Sequence, residues 1–301
     1  MNILITGAEG FIGSELVNQL KNTRHNLYLC VGKNSLQKNK KKIFISCKGL
    51  LEDADYSKIT KNIDVIVHCA GLAHNIYKKN YKNSLRYNKV NSHITINLAL
   101  SAKKNKVKKF IYLSSAGIHS DFAFTGKEIS ENLYINPKND YAKSKLLAEN
   151  LLLKICKNSM MNLVLLRPPA VYGTGVKGNL KHLLLLVRYR IPLPLGSFDK
   201  NKRSYISLEN LVNAILTCIE YKKKVKSAFL ISDQHPLSTV ELIKKIAKDH
   251  NKKIILFRFP VIFLKILSII IGRIDLIRRL NNSFELDTSN FQKKFKWTPK
   301  N

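Results

Sequence analysis

Cysteine is sparse and never paired. Five residues stand singly at Cys30, Cys47, Cys69, Cys156 and Cys218, with no CxxC pair and no metal-ligand spacing. That argues against a disulfide scaffold or a zinc-bound one and makes a reducing compartment the default. A chain of 301 residues with 45% hydrophobic content buries enough surface to do without such staples. No secretion signal is expected either, because Met1 runs straight into Asn-Ile-Leu-Ile-Thr-Gly with no basic stretch and no long apolar core. Long hydrophobic runs are also missing. The most apolar segment, Ile254 to Gly272, has Pro260 near its start and is broken by Lys265. A spanning helix needs about 20 apolar residues, so no crossing is expected, whereas resting on a membrane surface stays open. The expected location is the cytoplasm, with peripheral contact at the inner membrane face as the remaining membrane role.

Acidic residues are scarce: 20 Asp and Glu stand against 52 Lys and Arg, a formal net charge of +32. Such a charge attracts anions, whether nucleotide phosphates, nucleic acid or acidic lipids. The lysines are nevertheless spread along the chain. Short runs at Lys38–Lys42, Lys103–Lys109 and Lys222–Lys226 read as solvated loops or helix ends. Nothing matches a nucleic-acid module, so no dedicated nucleic-acid partner is expected. Repeats and low-complexity linkers are absent.

What is present is an alternation of short apolar runs with amphipathic stretches. Strands are expected at Asn2–Thr6, Leu27–Val31, Lys42–Cys47, Val65–Ala70, Lys109–Ser114 and Asn162–Leu166, with helices at Phe11–Lys21, Val90–Lys104 and Tyr141–Lys157. This is the pattern of an α/β protein with a parallel sheet covered on both faces. After Pro168 it loosens into Gly- and Pro-rich turns with two further helical stretches, read as a smaller substrate lobe.

Between the first strand and helix lies Thr6-Gly7-Ala8-Glu9-Gly10-Phe11-Ile12-Gly13. A dinucleotide pyrophosphate needs backbone N–H groups at a helix N-terminus and no side chain in the way. Gly7 suits the tight turn, Gly10 the close approach and Gly13 the helix–sheet packing. The acid expected about 20 residues on, for the adenine ribose, is missing. Lys33 follows the second strand and could meet a 2′-phosphate, which leaves NAD or NADP open.

Tyr141 and Lys145 are four apart on one helix and share a face. A tyrosine base needs its pKa of about 10 brought down, which a neighbouring ammonium does. Ser115, just past the fifth strand, lies at the carboxyl edge where such sheets bind ligands, placed to hold the reacting oxygen. His68, His74 and His93 are singletons, and His68 reads as a satisfied core residue.

These motifs, with Asp64-Val65-Ile66-Val67-His68-Cys69-Ala70-Gly71, Phe110 to Ala116 and Leu166-Arg167-Pro168-Pro169-Ala170-Val171-Tyr172-Gly173, resemble the extended short-chain dehydrogenase/reductases, NAD-dependent epimerase/dehydratase group. The resemblance runs through Phe295-Lys296-Trp297-Thr298-Pro299, after which relatives commonly add a helix. It implies a Rossmann, doubly wound parallel sheet over residues 1–167 and a smaller C-terminal α/β substrate lobe over 168–301, some of whose elements return to the sheet. It implies Tyr141 as catalytic base and acid, Lys145 on the nicotinamide ribose, and Ser115 on the substrate oxygen. Gly7, Gly10, Phe11, Ile12, Gly13, Lys33, Ala70, Gly71, Ser114 and Pro168 would then serve the cofactor. Asn179 and Arg203 match positions that grip a nucleotide diphosphate, for which an arginine is a suitable bidentate partner. Homodimers are common in the group.

Departures narrow the chemistry. A 4,6-dehydratase carries an Asp-Glu pair after the catalytic hydroxyl residue, where Ala116 and Gly117 stand here. Lys48-Gly49 replaces the usual Gly-Asp near the adenine. The expectation is oxidoreduction at carbon 4 of a nucleotide sugar, by a UDP-hexose or UDP-N-acetylhexosamine 4-epimerase. The alternatives are an NADPH-dependent 4-keto-reductase, a membrane-associated dehydrogenase of steroid- or polyprenyl-linked substrates, and a non-catalytic dinucleotide-binding module.

Overall fold

The computed structural model describes residues 1–31, 42–46, 55–73, 81–119, 128–133, 135–176, 178–272 and 274–300. The first half runs β1 (Asn2–Thr6), α1 (Phe11–Leu20), β2 (Asn26–Val31), β3 (Lys42–Ser46), α2 (Ser57–Thr60), β4 (Val65–His68), α3 (Tyr81–Asn88), α4 (Ile94–Lys104), β5 (Lys109–Leu113), α5 (Asp140–Lys157) and β6 (Asn162–Arg167). The second half runs β7 (Ala170–Tyr172), α6 (Asn179–Arg188), β8 (Tyr205–Ser207), α7 (Leu208–Glu220), β9 (Lys226–Leu230), α8 (Thr239–Asp249), α9 (Val261–Ile270), α10 (Ile274–Asn281) and α11 (Ser289–Phe295).

Seven parallel strands hydrogen-bond in the order β3-β2-β1-β4-β5-β6-β9, and β7 and β8 form a separate parallel pair. The order reverses between β1 and β4, and the crevice at such a switch point is where ligands bind in doubly wound sheets. β9 comes from beyond Pro168 and pairs with β6, Leu163 opposite Lys226 through Arg167 opposite Leu230.

The strands are apolar throughout because both faces are covered. Side chains alternate: Ile3 and Ile5 join one core with α1, α7 and α11, while Leu4 joins the other with α4 and α5. Ile111 and Phe110 divide in the same way. Each fully buried aliphatic side chain of this kind contributes roughly 1.5–3 kcal/mol. A third cluster, built from Val187, Leu193, Tyr205, Leu242 and Ile243, forms the C-terminal lobe.

Helix starts follow capping chemistry. The Asn139 side chain accepts from Ala142 N at 2.8 Å before α5, and Ser238 and Glu241 form a capping box on α8. One part of the Lys103–Lys109 run is not solvated as expected. Lys108 is exposed and paired with Asp64, but Lys109 is buried and donates to the carbonyls of Cys218, Ile219 and Tyr221 at 2.6–2.7 Å. It points into the same face as Ile111 and neutralises the C-terminal end of α7. Cys69, Cys156 and Cys218 are free thiols, whereas Cys30 is disulfide-bonded, unlike the singly standing thiol its spacing suggested. Among the described residues no helix is long and apolar enough to cross a membrane.

Candidate active site

The turn after β1 is built for close approach. Gly7 adopts φ +67°, and a Cβ there would sit 2.7 Å from Ala70 N. A Cβ on Gly13 would collide with the Gly7 carbonyl. Both positions therefore require glycine. Gly10 caps α1 with no side-chain hydrogen bond, and the first turn of α1 holds no acid. The start of α1 borders a cleft of about 240 Å³ whose lining includes Glu9, Gly10, Phe11, Ser14, Gly175 and Leu208. Ile12 packs on the sheet beneath. A helix N-terminus without a side-chain cap, in a cleft with no obstructing Cβ, fits a pyrophosphate.

Across the switch point, β4 delivers Ala70 and Gly71, and α5 delivers Lys145. A Cβ on Gly71 would lie 3.1 Å from Lys145 Nζ and 3.2 Å from Asn91 Oδ1, so these three groups converge. Asn91 comes from a π turn, Lys89–His93, between α3 and α4. Its Oδ1 accepts from Leu72 N at 2.7 Å, and its Nδ2 donates to Leu72 O at 3.1 Å and Ser144 Oγ at 3.0 Å. Such single π turns re-aim side chains at functional sites. Asn91 and Ser144 escaped sequence reasoning, because nothing in the local spacing marks a π turn.

Ser114 and Ser115 leave the end of β5 beside β6. Ser114 N donates to Leu166 O at 2.8 Å and Ala116 N to Pro168 O at 2.9 Å, which brings Pro168 against the serine loop. Buried Ser114 Oγ has no partner among the described residues, an orphan that a ligand hydroxyl would satisfy. The Ser115 hydroxyl accepts from Gly117 N at 3.0 Å and is a hydrogen-bond neighbour of the Tyr141 phenol. Burial pushes the Tyr141 pKa up to about 12, and the Ser115 hydrogen bond opposes that. The expected lowering of Tyr141 by Lys145 is therefore not realised in this state of the protein. Lys145 instead donates to Leu113 O at 2.7 Å and lies over the Tyr112 ring, with its nitrogen 4.6 Å from the centroid. Burial lowers the Lys145 pKa to about 8, opposed by Cys69 and Glu149.

Two buried polar relays brace this edge. Ala70 N–H donates to Thr6 Oγ1 at 3.2 Å, Thr6 Oγ1 meets His68 Nδ1 at 2.6 Å, His68 Nε2 meets Thr95 Oγ1 at 2.8 Å, and Thr95 donates to Asn91 O at 2.9 Å. Counting protons assigns His68 as the neutral Nε2–H tautomer. Burial, with the Lys145 charge, lowers its pKa to about 3. His68 is thus the satisfied core residue expected of it, and it ties the cofactor turn to Asn91. In the second relay Arg167 forms a buried fork on Glu149, Nη2–Oε2 2.6 Å and Nε–Oε1 3.0 Å, and its Nη1 donates to His119 Nε2 at 3.2 Å.

Arg203 stands apart from these groups. Its backbone bridges Leu237 and Phe284, its Nη1 donates to Asn282 O at 2.9 Å, and its guanidinium lies over the Phe284 ring. Burial lowers the Arg203 pKa from its ordinary value, with Tyr205 opposing that and the charge of Arg279 adding to it. Arg279 was not singled out from sequence, since it is one arginine among many cations. Asn179 opens α6, with its side chain outside the described residues, as are Lys33, Lys48-Gly49 and His74.

The comparisons agree with this layout. The family model described as "NAD dependent epimerase/dehydratase family" matches residues 3–231. The UDP-glucose 4-epimerase of Vibrio cholerae is 34% identical over 298 residues, covering 99% of this chain and 90% of that protein. Among solved structures, the UDP-glucuronic acid 4-epimerase of Bacillus cereus in complex with NAD superposes with TM-score 0.77 at 23% identity, over 100% of this chain and 94% of that one. The UDP-N-acetylglucosamine 4-epimerase of Bacillus cereus does so with TM-score 0.76 at 18% identity, over 100% and 92%. With its glycine turn, paired hydroxyls and switch-point crevice, the chain belongs to the NAD-dependent epimerase/dehydratase family.

Proposed function

We propose that this protein is an NAD-dependent nucleotide-sugar 4-epimerase acting on a UDP-hexose or UDP-N-acetylhexosamine. The observation that carries the reading is the Ser115–Tyr141 hydroxyl pair at the sheet edge, followed by Ala116 and Gly117 instead of the acids that water elimination requires. The likeness to the Vibrio cholerae epimerase extends along nearly the whole chain and supports the same chemistry. When bound, NAD would supply a hydride acceptor that returns the hydride to carbon 4.

In this reading the chain's own groups divide the work. Gly7, Gly10, Phe11, Ile12 and Gly13 receive the pyrophosphate, and Ala70, Gly71, Ser114 and Pro168 line the nicotinamide side. Tyr141 takes the proton of the carbon-4 hydroxyl and gives it back, and Ser115 holds the same oxygen. Lys145 turns from Leu113 O to the nicotinamide ribose, and its charge then favours the Tyr141 phenolate. Asn179 and Arg203 grip the diphosphate, the arginine as a planar donor suited to phosphate oxygens. Residues 1–167 serve the dinucleotide and 168–301 mainly the sugar nucleotide. A cytoplasmic homodimer, with peripheral contact at the inner membrane face, completes the reading.

A second reading, the NADPH-dependent 4-keto-reductase, is favoured by one feature. No acid occurs between the end of β2 at Val31 and Leu51, and Lys33 follows the strand. Denaturing the purified protein and identifying the released dinucleotide by mass spectrometry separates the two. Retained NAD⁺ is the expected result. An empty protein that prefers NADPH favours the reductase, and failure to bind either dinucleotide contradicts both.

A further inference from the structure

The C-terminal lobe turns apolar residues outward over a continuous stretch. Residues 255–259 run extended beside 193–197, with Leu193 N donating to Ile255 O and Gly196 N to Phe257 O. Alternation in that strap exposes Ile255, Phe257 and Phe259, while Ile254 and Leu256 pack inward on the lobe core. Phe259 then meets Phe263 at 6.0 Å between ring centroids, which carries the apolar strip onto α9.

α9 itself is held by a narrow stripe. Ser268 is buried and Val261 and Leu264 are half-buried, an i, i+3, i+7 line along one side. Apart from exposed Lys265, the rest of the helix is exposed and apolar: Ile262, Phe263, Ile266, Leu267, Ile269 and Ile270, the last 76% accessible. A helix at the surface of a globular protein ordinarily shows polar residues on its outer side. Here the outer side is the more apolar one, and the patch it forms with the strap is of the kind that marks an interaction surface.

The charge around the strip decides what it fits. Residues 252–279 hold seven Lys and Arg against one Asp. Lys253, Arg258, Lys265, Arg278 and Arg279 are exposed, Arg258 in a solvent-facing ion pair with Asp199 at 3.2 Å, as are Arg188 and Arg190 just before the segment that the strap bridges. A second copy meeting this face about a two-fold axis would set that cationic rim against itself, in a chain already carrying +32. An anionic surface with an apolar layer beneath it matches both features. Ten residues of helix span about 15 Å at 1.5 Å per residue, half of the roughly 30 Å a bilayer core requires, so α9 lies in the interface.

We propose that the strap 255–259 and α9 form a membrane-docking face that seats on anionic phospholipid, with the exposed Lys and Arg at the headgroups and the Ile and Phe side chains at the acyl boundary. The test is co-sedimentation of the full chain with vesicles of phosphatidylethanolamine and phosphatidylglycerol, against vesicles of phosphatidylcholine alone. The expected result is binding to the anionic vesicles only. Ile266→Asp/Ile270→Asp should lower the bound fraction about tenfold or more, and Arg258→Glu/Lys265→Glu should lower it by a comparable factor. All four positions are exposed, so both variants should keep the melting temperature and sugar-nucleotide turnover of the parent. Three results would overturn the proposal: no binding to anionic vesicles; binding that the Ile→Asp pair leaves intact, which assigns it to diffuse charge; or a dimer in light scattering that the Ile→Asp pair dissociates, which assigns the face to a second copy.

Discussion

β1 and α9 are read from sequence by the same signal, a short run of Ile and Leu, and they end in opposite surroundings. In β1, Ile3, Leu4 and Ile5 are wholly buried because helices cover the sheet on both sides. In α9, Ile262, Ile266 and Ile270 are exposed, because no further layer among the described residues lies over the C-terminal lobe. An apolar run states that burial is favourable and leaves open what supplies the cover. Where the chain closes its own layers the run becomes core, and where the layers end it becomes a surface for something else. Polar residues show the converse: those beside β1 are buried and matched in relays, whereas the cations beside α9 remain in solvent.

The largest effect that sharpens this contrast comes from one substitution made in both places. Ile5→Asp buries a carboxylate between two layers and should abolish cooperative folding, whereas Ile266→Asp should change stability by only about 0.5 kcal/mol. Urea unfolding followed by circular dichroism checks both, and equal losses would break the comparison. Next is the Arg167–Glu149 fork. Glu149→Ala leaves a buried guanidinium without its partner and should cost about 3–5 kcal/mol, with Glu149→Leu/Arg167→Met recovering much of it. Exposed Lys108 and half-buried Asp64 form an ion pair at 2.8 Å, open to solvent on the lysine side, and Asp64→Asn there should cost no more than about 1 kcal/mol.

A gentler test of the buried polar groups uses acid. His68 and His119 are buried and neutral, with pKa values lowered to about 3 and about 4 from 6.5. The unfolded chain binds these protons first, so the stability tied to their neutral forms is present above about pH 6.5 and is lost as pH falls towards 4 and 3. Each histidine should account for about 2 kcal/mol between pH 7 and pH 5. His68→Gln keeps a neutral hydrogen-bonding side chain, and the slope of stability against pH should fall by about half. An unchanged slope would place the acid sensitivity elsewhere.

Much of the sheet was legible because its information is local. The strand at Asn2–Thr6 is where its short apolar run placed it, and the Tyr141–Lys145 spacing put both residues on α5 as a helix period requires. β9 was not located, since a Lys-Ser-Ala-Phe-Leu segment beyond the loosened region gives no sign of pairing with β6. Lys109, Asn91 and His68 were hidden for a related reason: their side-chain partners lie 19 to 112 residues away, and only the fold brings them within bonding distance. The glycine turn after β1 was legible, because Gly7 and Gly13 remove Cβ collisions and so leave a mark in the sequence itself.

The central claim is epimerisation at carbon 4 through Tyr141. The direct measurement is incubation of the purified protein, with no added dinucleotide, with UDP-glucose and UDP-N-acetylglucosamine deuterated at carbon 4, followed by NMR of the sugar. Epimerisation predicts the carbon-4 epimer of one or both with the deuterium still at carbon 4, and a loss of about 10²–10⁴-fold in rate for Tyr141→Phe. No epimer from either sugar nucleotide, or full turnover by Tyr141→Phe, would contradict it.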